Sequence, residues 1–235
     1  TLEQRLAGHI QADSQVRALN YDGQTWTLLG PGQSWQARRV VLATPAQESL
    51  RLLATFDPNL TAAQPVQVCR SVAVLNLLYR RQQIPSDKAG RGFLVPLKEG
   101  GCFSALSLVN HKWPGRTQAG FTQLRVHLGG AGREHHLDLD DNSLVTLALS
   151  DLQKWLGVGV HNPDSANLSR HALKMPELRQ GHRNRVEQLE KSLPKSLQIS
   201  GNWLAGIGIA DCIGRANALA SHWSPKSETE NLCKA

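Results

Sequence analysis

The stretch Gly201-Asn202-Trp203-Leu204-Ala205-Gly206-Ile207-Gly208-Ile209-Ala210-Asp211-Cys212-Ile213-Gly214 sets small residues where the chain passes from a strand into a helix. Glycine carries no Cβ, so backbone in such a turn can approach a flat ligand closely. The N-terminus of the following helix presents unpaired N–H groups and a partial positive charge. Together these suit an anion or an electron-rich ring edge. Gly206-x-Gly208 is part of a dinucleotide fingerprint, but Asp211 stands where the third glycine belongs, and no second strand is legible after the helix. A strand-to-helix turn without a ligand explains the same residues equally well.

Other chemistries are poorly supplied. The nine histidines include the adjacent His135 and His136, which are expected to point in different directions. No H-E-x-x-H or Cys/His ligand spacing occurs, so no metal is expected. His182 reads as a hydrogen-bonded structural residue. Cys69, Cys102, Cys212 and Cys233 form no C-x-x-C pair, which suits free thiols in a reducing compartment. No G-x-S-x-G elbow supports a serine hydrolase. The pair Asp140-Asp141 reads as a helix cap.

These residues need a scaffold, and its pattern is mixed. Runs over 15–21 and 24–29 flank Asp22-Gly23, a strong hairpin signal. Gly30-Pro31-Gly32 makes a second turn, and 40–43 is a buried strand ended by Thr44-Pro45. A helix is expected over 46–54. Further strands are expected over 71–79, 92–96, 102–109 and 123–128, with a loop over 129–141. In the next helix Val145, Ala148, Leu149, Leu152, Trp155 and Leu156 recur at helical spacing, with Gly157 at its end. A second helix carries Val186, Leu189 and Leu193, and Pro194 stops it. A strand over 197–200 leads to the glycine-rich turn. The last helix, 211–223, is expected to bury Ile213, Ala216, Ala220 and Trp223.

Composition fits one large or two small domains: 40% of the 235 residues are hydrophobic and 19% charged. Net charge is +7, but Lys and Arg are scattered, and no nucleic-acid reading motif accompanies them. The apolar run 72–79 is too short to span a bilayer.

The ordered set of motifs resembles the C-terminal half of protoporphyrinogen and coproporphyrinogen oxidases, in the amine-oxidase-like flavoprotein superfamily. The glycine-rich turn followed by Asp211-Cys212-Ile213 is similar to that family's flavin segment. Val40-Val41-Leu42-Ala43-Thr44-Pro45-Ala46 resembles the strand and turn that close its meander. Gly90-Arg91-Gly92-Phe93-Leu94-Val95-Pro96 resembles its substrate-cavity strand. Leu128-Gly129-Gly130, Met175-Pro176 and Gly181-His182 match later motifs.

The resemblance implies an α+β fold, part of an FAD-binding domain with a β-meander plus an antiparallel-sheet substrate domain. It implies a meander and strand in 1–55, the substrate-domain sheet and helix in 56–165, and a return to the FAD domain in 166–235. It implies FAD as cofactor, contacted by Val16, Ile207, Gly208, Ile209 and Asp211. His171 stands where the family has a flavin-contacting Trp. Gly92 and Leu94 would line the substrate cavity; no catalytic residue is implied. Glu177-Leu178 replaces the family's Gln-Tyr.

The activity implied is oxidation of a porphyrinogen by oxygen, in haem biosynthesis. The family's Rossmann fingerprint has no counterpart in this sequence, so a non-catalytic porphyrin-binding remnant is the alternative. The resemblance also implies a cytoplasmic protein with peripheral association at the inner face of the cell membrane, and a homodimer.

Overall fold

The chain builds two units, and the first is discontinuous: Thr1–Val68 with Pro176–Ala235, and then Cys69–Met175. The computed structural model describes residues 2–62, 69–84, 90–157, 160 and 162–223; Cys233 lies outside them. The expected boundaries were 55/56 and 165/166. The units instead divide after 68 and after 175, because a short helix past 55 still packs on its predecessor and a long strand runs on to 176.

The first unit opens with the turn α1 (Leu2–Arg5) and a meander of β1 (Ala18–Tyr21), β2 (Trp26–Gly30) and β3 (Gln33–Ala37). Asp22 shapes the first hairpin, its Oδ1 accepting the N–H groups of Gln24 (2.8 Å) and Thr25 (2.7 Å). β3 has no periodic apolar signal; pairing of Gln33–Ala37 along the whole of β2 makes it a strand. Strand β4 (Val40–Leu42) leads through Thr44-Pro45 into α2 (Ala46–Phe56), then α3 (Asn59–Ala62). α2 packs on β1: Thr55 Oγ1 accepts the Leu19 N–H at 3.0 Å. Trp26 is fully buried, stacked on Tyr21 at 4.4 Å and edge-on to Phe56.

The second unit is a five-stranded sheet with one helix over it. Its elements are β5 (Cys69–Arg80), β6 (Gly92–Leu94), β7 (Phe103–Leu108), α4 (Val109–Lys112), β8 (Phe121–Gly129), α5 (Asp141–Leu156) and β9 (Ser165–Pro176), in sheet order β6-β7-β8-β5-β9. Alternation puts Ala73, Leu75, Leu77, Leu124, Val126 and Leu128 on one face, against Leu144, Ala148 and Leu152 of α5. Asp140 caps α5, accepting the Ser143 N–H at 3.0 Å. Trp155, expected inside, is 42% exposed; Leu144 and Asp151 are buried instead.

Residues 129–141 contain a short 3-10 helix, Glu134–Asp138, not only loop. That tight turn brings the His135 and His136 rings together, tilted by 42° with centroids 4.0 Å apart, against expectation. Among the described residues no group of three or more His, Cys, Asp or Glu side chains is placed to hold a metal. Strand β9 has no counterpart in the sequence reading. Most of it is exposed, so it shows no inside–outside alternation, and it exists because it pairs at the sheet edge.

The chain re-enters the first unit with α6 (His182–Ser192), β10 (Leu197–Ile199) and α7 (Ile209–Trp223). β10 pairs parallel with β4, Leu197 opposite Val40 and Ile199 opposite Leu42.

Candidate functional site

β4 and β10 run side by side in the same direction, and each passes from its C-terminal end into a turn and a helix. Ligands of α/β folds sit beyond such strand ends. The Ser200 N–H donates to Leu42 O at 2.8 Å, so the two turns begin together. Ser49 is fully buried in α2 and holds the first turn: its hydroxyl lies 2.8 Å from Thr44 Oγ1 and donates to Thr44 O. In the second turn Gly201 has φ +148, and a Cβ there would press on the Trp203 ring at 3.1 Å.

The end of the second turn is where the sequence pointed. α7 starts at Ile209, two residues before the expected Asp211. Asp211 sits in its first turn, and its carboxylate accepts the Gly208 N–H at 3.1 Å. This is half of a capping box. A Cβ on Gly206 would lie 2.3 Å from Asp211 Oδ2, and one on Gly208 2.9 Å. Both glycines therefore have a reason inside the protein: they make room for the carboxylate that caps the helix.

Ile207, Ile209 and Ile213 point outward, 44%, 81% and 56% exposed. None of the α7 residues is buried. Its half-buried stripe is Cys212, Arg215, Leu219 and Trp223, while the expected inner residues Ile213, Ala216 and Ala220 are exposed. The stripe is rotated because Arg215 fastens that side: it donates to Ile199 O and pairs with Glu190. His182 anchors the turn from below, its Nε2 3.1 Å from Leu204 O. A carbonyl only accepts, so Nε2 carries the proton.

Val16 lies just before β1 and lines a cavity of about 350 Å³ with Val41, Ala43, Thr44 and Glu48, all from this unit. Arg51 of α2 fixes it: its guanidinium donates to Val16 O (3.2 Å) and Arg17 O (2.7 Å) and pairs with Glu48. Ser49 and Arg51, which hold the first turn, escaped sequence reasoning, since polar residues of α2 look like ordinary helix surface.

The other three expected site residues fall in the second unit, on opposite edges of its sheet. His171 is on the β9 edge, at a hollow of about 240 Å³ shared with Ser71, Glu134 and Arg170. Gly92 and Leu94 are on the β6 edge. Gly92 has φ +137, and a Cβ would lie 2.3 Å from Leu106 O, so strand pairing alone demands glycine there. Leu94 is 80% exposed on the sheet face opposite α5.

Cross-strand register extends that face into two rows. Gly92, Ser107, Arg125 and Asn76 form one; Leu94, Ala105, His127 and Val74 form the next. Arg125 Nε donates to Asn76 Oδ1 at 3.1 Å. Burial pushes the His127 imidazole below its usual value, and Arg125 and Lys112 push it the same way. Arg125 and His127 were missed, although the alternation of Leu124, Val126 and Leu128 carries the signal: whatever lies between them faces the other way.

Residues 1–215 match the family model described as flavin containing amine oxidoreductase. The chain belongs to this family. It is 27% identical over 218 residues to the coproporphyrinogen III oxidase of Bacillus subtilis, covering 90% of this chain and 45% of that protein. It is 34% identical over 188 residues to the coproporphyrinogen III oxidase of Mycobacterium bovis, covering 79% and 40%. Cyclohexylamine oxidase from Brevibacterium oxydans superposes with a TM-score of 0.70 at 15% identity, over 94% of this chain and 51% of that one, a likeness of fold. The chain spans less than half the length of these two curated relatives.

The residues present fit the ring end of a flavin. Exposed Ile207 and Ile209 flank the α7 N-terminus, and Val16 with Ala43 lines an open cavity. Trp203 Nε1, at the start of the second turn, is a buried donor without a partner among the described residues.

Proposed function

We propose that this chain forms the ring-facing and substrate-facing part of an FAD-dependent porphyrinogen oxidase that acts with oxygen in haem biosynthesis. The observation that carries the reading is the pair of parallel strands β4 and β10, whose turns begin together, the first lining the Val16 cavity and the second leading into the α7 N-terminus. The names of the curated relatives supply the substrate class, coproporphyrinogen III with protoporphyrinogen as the other candidate.

FAD, when bound, would supply the two-electron acceptor for hydride from the macrocycle and a route for those electrons to oxygen, with hydrogen peroxide as the product. This chain's residues contribute placement and field. Ile207, Gly208 and Ile209 would meet the ring, and the α7 N-terminus favours negative charge there. Asp211 acts one step back, holding the turn. Val16 would contact the cofactor through a segment that Arg51 keeps in place. His171, on the β9 edge, would take the place of an aromatic wall. Gly92 and Leu94 would lie under the substrate. Hydride transfer needs a near-attack geometry more than an acid or base, and no such residue is assigned.

Net charge +7 supports peripheral contact with an anionic membrane surface. Among the described residues no helix is long and apolar enough to cross a membrane. Pairing of two copies belongs to the same reading, and sedimentation would count them.

The test mixes this chain with the N-terminal half of the Bacillus subtilis relative and adds FAD and coproporphyrinogen III. Porphyrin fluorescence should rise faster than air oxidation allows. Tight porphyrin binding with neither flavin binding nor turnover would instead support the non-catalytic remnant.

A further inference from the structure

The open face of the second unit's sheet gathers positive charge without any acid to balance it. One hollow of about 360 Å³ is lined by Arg91, Lys112 and His127 around Gly92, Leu94 and Ala105. Beside it on the same face, one of about 410 Å³ is lined by Arg125 with Asn76 and Gln123. No carboxylate lines either hollow. Among the described residues none pairs with Arg91, Lys112 or Arg125. The nearby Asp164 is engaged by Arg80 at 3.1 Å. His127 has Arg125 two residues along its own strand and Lys112 on α4 close enough for both to repel its proton. Like charges brought together on a half-buried face raise the free energy of the empty protein, and an anion relieves it.

The floor between these cations is flat and small. Gly92, Ala105 and Ser107 cover β6 and β7, with exposed Leu94 at the edge. From Gly92 to Arg125 is two strand spacings, about 10 Å, which is the scale of a tetrapyrrole ring. We propose that Arg91, Lys112, Arg125 and His127 form a carboxylate subsite that takes the acidic side chains of the substrate while its ring lies over Gly92, Leu94 and Ala105. This rests on the porphyrinogen reading above and adds to it where the substrate's anions go.

The experiment titrates the full chain with coproporphyrin III and, separately, with its uncharged tetramethyl ester, by porphyrin fluorescence. The parent should prefer the free acid. Arg125→Gln and Lys112→Gln should each weaken the free acid by about five- to ten-fold, as expected for one charge-assisted contact on a partly solvated face, and leave the ester unchanged. Arg38→Gln makes the same charge change on an exposed residue of the other unit and should do nothing. Should Arg125→Gln unfold the sheet by freeing Asn76, Lys112→Gln decides, since Lys112 is exposed at the end of α4. Free-acid affinities equal in parent, Lys112→Gln and Arg38→Gln overturn the subsite while ester binding keeps the porphyrin reading. Failure of the parent to bind either ligand overturns both.

Discussion

The carboxylate of Asp211 accepts the Gly208 N–H at 3.1 Å and fills the space that a Cβ on Gly206 would need. The glycine and the aspartate are thus one device, a helix cap with room cut for it. Gly206 has no left-handed φ, so alanine is not barred by its backbone. Gly206→Ala should cost about 1 kcal/mol, the worth of the cap it displaces. Asp211→Ala should cost about the same. The double variant should cost little more than either alone, and urea unfolding of the cycle would read that coupling. Additive losses would disprove the link.

His182 is buried, and its Nε2–H is spent on Leu204 O. His182→Phe keeps the ring volume but strands that carbonyl. A loss of about 1–3 kcal/mol is expected, with the urea m-value unchanged. Flavin affinity of the reconstituted pair should fall too, because the turn that starts at Gly201 loses its anchor.

Asp151 is a buried acid on α5, accepting the Cys102 N–H at 2.8 Å and the Lys154 ammonium at 2.7 Å. Burial alone would raise its carboxyl; the Lys154 ammonium and the Cys102 N–H outweigh it and hold it below the usual 3.8. A depressed acid stabilises the fold fully above its unfolded value and loses that effect as pH falls through the folded value. Asp151→Asn should therefore melt below the parent at pH 7, and the two melting curves should converge below about pH 4.

Cys102 is fully buried, and its thiol is pushed up to about 12 by burial and by the nearby Asp151. Only the thiolate alkylates. At pH 8 iodoacetamide should leave Cys102 unmodified in the native chain, and mass spectrometry should find it labelled once urea unfolds the sheet.

Gly92 presses against β7 with φ +137. Gly92→Ala should cost about 1–3 kcal/mol through strain and release β6, seen as faster hydrogen exchange at Val95, whose N–H donates to Ser104 O at 2.9 Å. A neutral substitution would remove the packing account and return Gly92 to a ligand-contact role.

Much of the scaffold was legible because its residues state their own environment. The apolar runs over 71–79 and 123–128, bounded by turn residues, were legible as strands, and Asp22-Gly23 marked a hairpin through local φ preferences. β3 and β9 were not legible. Both are polar strands held by a partner, and a partner is a property of the fold rather than of the segment. The final helix was placed within two residues, yet its inner face was misjudged. An apolar stripe reports only what wants burial; Arg215, reaching Ile199 and Glu190, chose the side that faces inward.

The sequence by itself determined the α+β character, the family and the turn at 201–214, since motifs in order need no coordinates. It could not say why the glycines are there. Only the tertiary structure showed that Gly206 and Gly208 yield to Asp211, and that Gly92 yields to Leu106. Only the sheet register brought Arg125 and His127 to the face that carries Leu94. The reason is physical: local pattern sets the conformation a segment prefers, whereas a clash or a row of charges depends on where atoms come to lie in space.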